Sequence, residues 1–376
     1  ERKVGKDFGE RNNGGSAARG PRRENKFWKE EPMNVIELTE EEKEERFKTQ
    51  LKNPVTLTTF IQRSKTPGEF MWIITAAMEE TMLNHIHLAA AFSKLASLKK
   101  TTPLVDKIRR SPTLVQLAKQ AARVADRREF RAREIASMLM ACSALRSDLP
   151  WISDELGLSL AKWVPQTVQD MNPRALSNTV YGLGVLDLGE APEVSAAIDH
   201  CASAIPPQLG RFSSMDVAQV AWGIGARNGQ EDSSKLMEAI AHWVTAEAAN
   251  LPALAASVDL PMIAVAFVRL HSWQPEMMNE IARRLHDLSR LRLWSLAALL
   301  WSWGHPCAPT GADSTGLAPD SLSASDFLQK LRKEAKLRRI TRRDIDRVPE
   351  GPKGETSKSW STSKTPKFRL TVAEKF

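Results

Sequence analysis

The sequence predicts an all-α protein, an α-solenoid of about six helix-turn-helix repeats with disordered basic termini. Three observations lead to this fold class. A nine-residue template recurs six times without internal gaps, second helical patterns lie between its copies, and positive charge is concentrated at both ends of the chain. Repeats at a period of roughly 20–50 residues are typical of solenoids, because one helix pair cannot bury its own apolar face.

The template is a helical pattern. Its copies begin at Leu88, Ile135, Leu176, Val217, Ile263 and Leu296, which are 47, 41, 41, 46 and 33 residues apart. With each first residue as position 0, apolar or small residues fall at 0, +1, +4, +5, +7 and +8 and fill an arc of about 160°. We expect Tyr181, Trp222 and Trp301 at position +5 to fill the core between repeats. The same angular count predicts that positions +2 and +6 are exposed.

The regions between the copies complete the helix pairs. Helical spacing covers residues 104–124, 151–168, 191–204, 233–249 and 275–288, and two further helices are predicted at 38–51 and 68–83. Asn172-Pro173 and Ser213 or Ser214 stand where helix N-caps belong. The predicted organisation is a basic flexible arm (1–35), N-terminal capping helices (36–83), the helical-repeat solenoid (84–304), a linker (305–323), and a basic helix and tail (324–376).

Cysteine spacing and hydropathy exclude several classes of protein. Cys142, Cys201 and Cys307 lie far apart in the sequence, so they form no CxxC pair or zinc-ligand cluster, and a disulfide framework is not expected, which fits a reducing compartment. No apolar run reaches the length of about 18 residues that a transmembrane helix needs, so no membrane association is predicted. His85 and His87 are two residues apart on a helix and point to different sides, which argues against a shared metal.

Two short glycine motifs could suggest a nucleotide-binding loop. Gly182-Leu-Gly184 and Gly223-Ile-Gly225 lie late in predicted helices, with no preceding strand and no phosphate-binding lysine. They are therefore interpreted as packing glycines. We predict no catalytic residues, metal, cofactor or small-molecule substrate, and the chain is not expected to be an enzyme.

Charge placement points to a polyanionic partner. Residues 1–30 carry nine Lys/Arg against five Asp/Glu, a net +4, and residues 305–376 carry fifteen against nine, a net +6, which leaves 31–304 at −2. Basic ends on a near-neutral body predict phosphate binding by counterion release, with solubility as the alternative role of such tails. The candidate RNA-binding residues of the tails are Arg22, Arg23, Lys26, Lys330, Arg332, Lys333, Lys336, Arg338, Arg339, Arg342 and Arg343.

A second set of candidates lies along the groove of the repeats. Asn178 and Gln219 recur at position +2 and are suited to hydrogen-bond base edges, whereas the cations are suited to phosphates. The cationic candidates are Lys94 and Arg269 at position +6, and Arg131, Arg133, Arg174, Arg290 and Arg292 at the starts of helices. The alternative is that all of them are ordinary surface residues of a protein-binding solenoid, because a groove containing several Ala and Gly is a poor track for phosphates.

Three copies of the template resemble a known class of helical repeat. Residues 176–184 in the setting ALSNTVYGLGVLDLG, 217–225 in the setting DVAQVAWGIGARNG, and 296–304 are similar to the A-helices of the octotricopeptide and heptatricopeptide families. These families are related to RAP-domain and FAST-kinase-like proteins, and the resemblance covers about residues 84–304. It implies binding of organellar RNA, with the mitochondrion preferred over the plastid.

Three hypotheses of function follow. The first is an organellar RNA-binding protein that acts in RNA processing, stability or translation. The alternative is a structural subunit of an organellar (mitochondrial) ribosome or a similar large RNP assembly, with the solenoid binding proteins and the basic tails binding rRNA. The third is an interaction scaffold without RNA. Charge separates the first two, because an array that reads bases needs a positive groove, whereas an assembly subunit can have a neutral body with basic ends.

Overall fold

The computed structural model describes residues 40–80, 83–186, 188–227, 233–305 and 324–348. Every regular element in these ranges is a helix. No helix among them is long and apolar enough to cross a membrane. The predicted arm with Arg22, Arg23 and Lys26, the linker that contains Cys307, and the tail after Val348 lie outside the described residues.

Helices follow one another closely along the chain. In order they are α1 (Glu40–Leu51), α2 (Pro54–Arg63), α3 (Pro67–Glu80), α4 (His85–Thr101), α5 (Asp106–Arg109), α6 (Pro112–Asp126), α7 (Ala132–Leu145), α8 (Pro150–Ala161), α9 (Val164–Thr167), α10 (Pro173–Leu186), α11 (Pro192–Ala204), α12 (Ser214–Ala226), α13 (Ser234–Glu247), α14 (Ala253–Arg269), α15 (Pro275–Arg284), α16 (Leu293–Trp303), α17 (Ala324–Leu337) and α18 (Arg342–Asp346). The chain divides into two units, residues 1–46 and 47–376, and the repeats lie in the second.

The second unit has two layers of helices. The A layer consists of α2, α4, α7, α10, α12, α14 and α16, each packed against the next. Each A-layer helix also contacts the B-layer helix that completes its pair: α3, α6, α8, α11, α13, α15 and α17. Helices that are consecutive in sequence are therefore neighbours in space, and the predicted all-α solenoid is confirmed.

The A-layer helices after α2 begin with a shared local motif. A buried or half-buried apolar residue directly precedes the N-cap at Leu83-Asn84, Phe130-Arg131, Met171-Asn172, Phe212-Ser213, Leu251-Pro252 and Leu291-Arg292, and Ile340-Thr341 repeats the motif before α18. Asn172 accepts a hydrogen bond from the backbone N–H of Ala175 at 2.9 Å, and Ser213 Oγ accepts one from Asp216 N–H at 3.3 Å. The apolar residue anchors each turn to the core, and at Asn84, Asn172, Ser213 and Thr341 the side chain also satisfies a free N–H group of the first turn.

Glycines allow α10 and α12 to pack backbone to backbone. A Cβ atom added at Gly184 would lie 2.1 Å from the carbonyl oxygen of Gly223, and one at Gly223 would lie 2.4 Å from that of Val180. Side-chain carbon atoms do not approach carbonyl oxygens so closely. The interpretation of these residues as packing glycines is confirmed.

The same contacts correct the register of the fifth repeat. Gly184, at position +8, meets Gly223 at position +6 of the next helix; Gly225, also at +8, meets Ala266. Ala266 is therefore at position +6, and position 0 of this repeat is Leu260 rather than Ile263. All residues from 259 to 268 are buried, so the apolar residues of α14 do not mark one face of the helix and do not fix the position of the template.

The prediction that position +6 is exposed is wrong. Ala141, Gly182, Gly223 and Ser302 occupy it in four repeats, and all four are buried. An A-layer helix has A-layer neighbours on both flanks as well as a B-layer partner, so its buried surface is wider than the apolar arc. At position +5, Trp222 is 2% exposed as expected, whereas Tyr181 and Trp301 are only half-buried.

Proline divides two of the predicted B-layer helices. The pattern over 104–124 forms α5 and α6, with Pro112 at the start of α6, and that over 151–168 forms α8 and α9, with Pro165 in the first turn of α9. Helix α2 was not predicted. Asn53 caps it, with its Oδ1 accepting from Val55 N–H at 3.0 Å, and Pro54 is its first residue.

Helix α17 continues the stack at its C-terminal end. Phe327 and Leu331 are buried, and the Phe327 ring lies edge-on to Trp303 of α16 with centroids 5.0 Å apart. The short α18 also packs on α16. The basic helix predicted in this region is thus a docked cap, and we refer to residues 324–348 as the C-terminal cap.

Candidate nucleic-acid interface

One strip along the A-layer helices is less covered by neighbours than the rest, although Trp222, Met262, Val265 and Ala298 within it are buried. It contains positions −2, +2, +5 and +9, which on α10 are Arg174, Asn178, Tyr181 and Val185. Arg174 is exposed and the other three are half-buried. We call these positions on α4, α7, α10, α12, α14 and α16 the A-layer strip. It contains no Asp or Glu, and its cations are Arg133, Arg174 and Arg269, so it is weakly positive and mostly apolar.

Aromatic side chains cover the strip from α12 to α16. The rings of Trp222 and Trp294 lie 6.0 Å apart, and the guanidinium carbon of Arg269 lies 5.0 Å from the Trp222 ring centroid. Burial lowers the pKa of Arg269 to about 10. Arg269, predicted as an RNA contact at position +6, is at +9 in the corrected register and is half-buried against tryptophan.

The polar residues at position +2 differ in their surroundings. Gln219 Oε1 lies 3.2 Å from Ser177 Oγ, and the same hydroxyl lies 3.0 Å from Asp216 Oδ1. Ser214 Oγ donates to Asp259 Oδ2 at 2.6 Å in the neighbouring interface. Gln219 thus belongs to a network that joins consecutive A-layer helices, which restricts its use for reading bases. Asn178 is half-buried on the strip.

Asp259 is a buried carboxyl at the interface of α12 and α14. It is 4% exposed, and desolvation raises its pKa, opposed by the Ser214 hydrogen bond and assisted by the negative charge of Asp216. A buried carboxylate is stabilised by the hydroxyl that donates to it. This group therefore links the stability of the α12–α14 interface to pH.

The predicted arginines at helix starts are on the surface. Arg131 is the N-cap residue of α7, and its backbone N–H donates to Glu134 Oε2 at 3.1 Å. Arg133 and Arg174 are exposed in the first turns of α7 and α10, and Arg292 is the exposed N-cap residue of α16. Arg290 is exposed, and its Nε lies 2.9 Å from a carboxylate oxygen of Asp287.

Lys94 does not face a groove. It is half-buried, and its ammonium group donates to the backbone carbonyl of Gln62 in α2 at 2.8 Å. A lysine that bridges two packed helices stabilises their contact. The prediction that Lys94 is an exposed groove residue is wrong, because the unpredicted helix α2 covers that side of α4.

The C-terminal cap is rich in positive charge. Residues 324–348 contain nine Lys/Arg against four Asp/Glu, a net +5. Arg338 is half-buried and donates to the carbonyl of Leu291, which fixes the cap to the preceding turn. The exposed cations of the cap are Lys330, Arg332, Lys333, Lys336, Arg339, Arg342 and Arg343.

Exposed cations beyond the predicted candidates lie at the ends of two neighbouring B-layer helices. Arg127 and Arg128 follow α6, and Lys162 follows α8. The guanidinium carbon of Arg128 lies 4.1 Å from the centroid of the Trp163 ring. The available signal was the Arg-Arg pair directly after a predicted helix, which recurs as Arg338-Arg339 after α17.

His87, Cys142 and Cys201 are buried in the packed helices. His87 is 4% exposed; its Nδ1 accepts from Asn84 N–H at 3.3 Å and its Nε2 lies 3.0 Å from the carbonyl oxygen of Pro54. Burial raises the pKa of Cys142 and of Cys201 to about 12, which disfavours the reactive thiolate. Within the described ranges, no group of three His, Cys, Asp or Glu side chains is placed to hold a metal ion.

No protein-family model and no curated protein matches this chain. The similarity of its A-layer helices to octotricopeptide and heptatricopeptide repeats therefore stays a prediction from the residues quoted above.

Proposed function

We propose that this chain is an RNA-binding helical-repeat protein of an organelle, and that it contacts RNA through phosphates rather than by reading bases along its repeats. The observation that carries this proposal is the C-terminal cap. Seven exposed cations are displayed there on two helices that pack on α16, and on the turn between them. A docked cationic surface loses less conformational freedom on binding than a free tail does.

Two biological roles are compatible with phosphate binding, and the A-layer strip favours one of them. An array that reads bases needs several free polar or cationic side chains in consecutive repeats. Here Gln219 is engaged with Ser177, Arg269 is packed on Trp222, and much of the remaining strip is apolar or aromatic. This arrangement supports a structural subunit of a mitochondrial ribosome or similar RNP assembly, with proteins on the solenoid and rRNA on the basic regions.

The other role is an RNA-binding protein that acts in processing, stability or translation of organellar transcripts. It is supported by the resemblance of residues 84–304 to organellar RNA-binding repeats and by exposed Arg133 and Arg174 in adjacent repeats. The same resemblance is the basis for placing the protein in mitochondria rather than plastids.

The salt dependence of RNA binding tests the proposal. Changing Lys330, Lys333 and Lys336 to Gln in the full-length chain removes three charges while the buried cap residues are retained. We expect the slope of log K against log[salt] to fall by about 0.9 for each lost contact with duplex RNA phosphates, or up to about 2.7 in all. A matched control changes the exposed lysines Lys65, Lys119 and Lys235 to Gln. Equal slopes for the two triple variants would contradict the role of the cap.

Sedimentation of the native protein from a cell extract, before and after RNase, separates the roles. Migration with ribosomal particles supports the assembly subunit, and a small RNase-sensitive particle supports the transcript-binding role. Migration that RNase does not change, at a size below ribosomes, would point to a protein scaffold and contradict RNA binding.

A further inference from the structure

The turn between α6 and α7 contains an arginine in a backbone conformation that favours glycine. Arg128 has φ +60°; its N–H donates to the carbonyl of Ala125 at 2.9 Å, and the N–H of Glu129 donates to that of Val124 at 3.2 Å. These two hydrogen bonds close the end of α6 in the arrangement in which glycine is the usual left-handed residue. His271 and Arg339 have the same conformation after α14 and α17, so a side chain is tolerated at these turns, but the backbone does not itself favour arginine there.

The side chain of Arg128 is held in place although it is exposed. Its guanidinium carbon lies 4.1 Å from the ring centroid of Trp163, and Trp163 is half-buried against the core. Arg127 Nη1 lies 3.9 Å from Glu129 Oε1, whereas Arg128 makes no ion pair with any residue that the structure describes. One side of the guanidinium is therefore covered by the indole, and its N–H groups are not engaged by a carboxylate there.

The surroundings of Arg128 are cationic. Residues 123–133 contain five arginines and two carboxylates, and Arg131 and Arg133 are both exposed. Lys162, the neighbour of Trp163, is exposed as well. A polyanion that approaches this turn meets charge from the end of α6, the start of α7 and the end of α8.

We propose that Arg128, supported by Trp163, is the stacking site for an unpaired nucleobase of RNA, with Arg131, Arg133 and Lys162 contacting the adjoining phosphates. This inference rests on the proposed RNA-binding function and specifies a second contact site, distinct from the C-terminal cap. The planar guanidinium group of arginine stacks on unpaired bases, and a duplex has no unpaired bases to offer. The ring 4.1 Å from the Arg128 guanidinium carbon restricts this side chain before binding, so that less side-chain freedom is lost.

The full-length chain and a labelled, uridine-rich single-stranded RNA provide the test, with a duplex of similar length for comparison. Arg128→Lys retains the charge but removes the plane. Because stacking contributes about 1–3 kcal/mol per base, we expect single-strand binding to weaken about 5-fold to 150-fold. The salt slope and the affinity for duplex RNA should stay near their wild-type values.

Two more variants separate stacking from charge. Arg128→Gly removes plane and charge, so single-strand affinity should fall at least as far, and the salt slope should decrease by at most about 0.7, since Arg128 itself stacks on the base. Trp163→Leu removes the support while Arg128 remains, and should weaken single-strand binding without a change of slope. The same two substitutions at Arg110 are matched controls, because Arg110 is also an exposed arginine at the end of a helix, α5. Its φ of −102° lies outside the left-handed region. Thermal unfolding of each variant checks that it is folded.

The results distinguish the site from the general function. Binding of Arg128→Lys equal to wild type, or an equal loss for single-stranded and duplex RNA, would overturn the stacking site while cap-dependent RNA binding stands. A wild-type chain that binds neither RNA would overturn the proposed function and this site together.

Discussion

Replacing Gly184 by Ala tests the close contact of α10 and α12 on which the stack depends. The new Cβ would lie 2.1 Å from the carbonyl oxygen of Gly223. The two backbones must therefore separate by roughly 1 Å before the contact becomes tolerable. Such overpacking costs typically about 1–3 kcal/mol, and the upper end applies because the obstructing atom belongs to a helix backbone and cannot rotate away.

Alanine also favours the helix itself. The gain in helix propensity over glycine is about 1 kcal/mol, so the expected net loss in the free energy of unfolding is about 2 kcal/mol. Gly157→Ala in α8 is the matched control, because its Cβ would meet only the ends of the Leu186 and Leu188 side chains, at 2.9 and 3.3 Å. Those side chains can move, and we expect a change of less than about 1 kcal/mol in either direction.

Amide hydrogen exchange, measured alongside urea unfolding, shows which helices lose stability. Long repeat arrays are not reliably two-state, so amide protection in α10 and α12 is more informative than one midpoint. Gly184→Ala should lower protection in these two helices first. Protection as high as in the wild-type chain would refute the close contact of the two backbones.

Three further perturbations have expected outcomes. Trp222→Ala, at a residue 2% exposed, should lower the free energy of unfolding by about 3–5 kcal/mol in urea titration; a loss below about 1 kcal/mol would contradict its core position. Burial raises the pKa of Asp259 in the folded state, so the protonated carboxyl favours folding. This contribution to stability is complete in acid and is lost as the pH rises through the pKa of the folded state. Asp259→Asn should accordingly stabilise near neutral pH, and an advantage that persists in acid would contradict this reasoning. Phe327→Ala should undock the C-terminal cap, with faster tryptic cleavage at Lys330 as the readout; unchanged cleavage would mean that Phe327 does not anchor it.

The fold was largely predictable because the repeats share small and apolar residues at fixed positions. The pattern could not show which residue of α14 is position 0, since this helix has apolar residues on all sides and no single face is marked. Helix α2 was missed because Val55, Thr56, Thr58 and Thr59 are β-branched and lower helix propensity. Its Asn-Pro start is nevertheless the same signal that identified α10.

The candidate site was predicted less well, for a physical reason. A helical wheel separates polar from apolar residues, but it does not show that a glycine or alanine at position +6 is covered by a neighbouring helix. It also does not show partners, so Lys94 and Gln219 looked available although they bond to Gln62 and Ser177. The exposed arginines at helix starts and in the C-terminal cap were identified correctly as surface cations, since turns between packed helices remain open to solvent.

The same geometry explains why we place RNA contacts at turns. Flank positions of an A-layer helix are buried by its neighbours, so a charged residue there must lose its hydration. Cations at the C-terminal ends of B-layer helices instead interact favourably with the helix dipole and stay in water, as Arg127 and Arg339 do after α6 and α17. Binding residues at such turns therefore do not conflict with packing. Gln219 at position +2 does, because contact with a base would take it out of the hydrogen bond that joins α12 to α10.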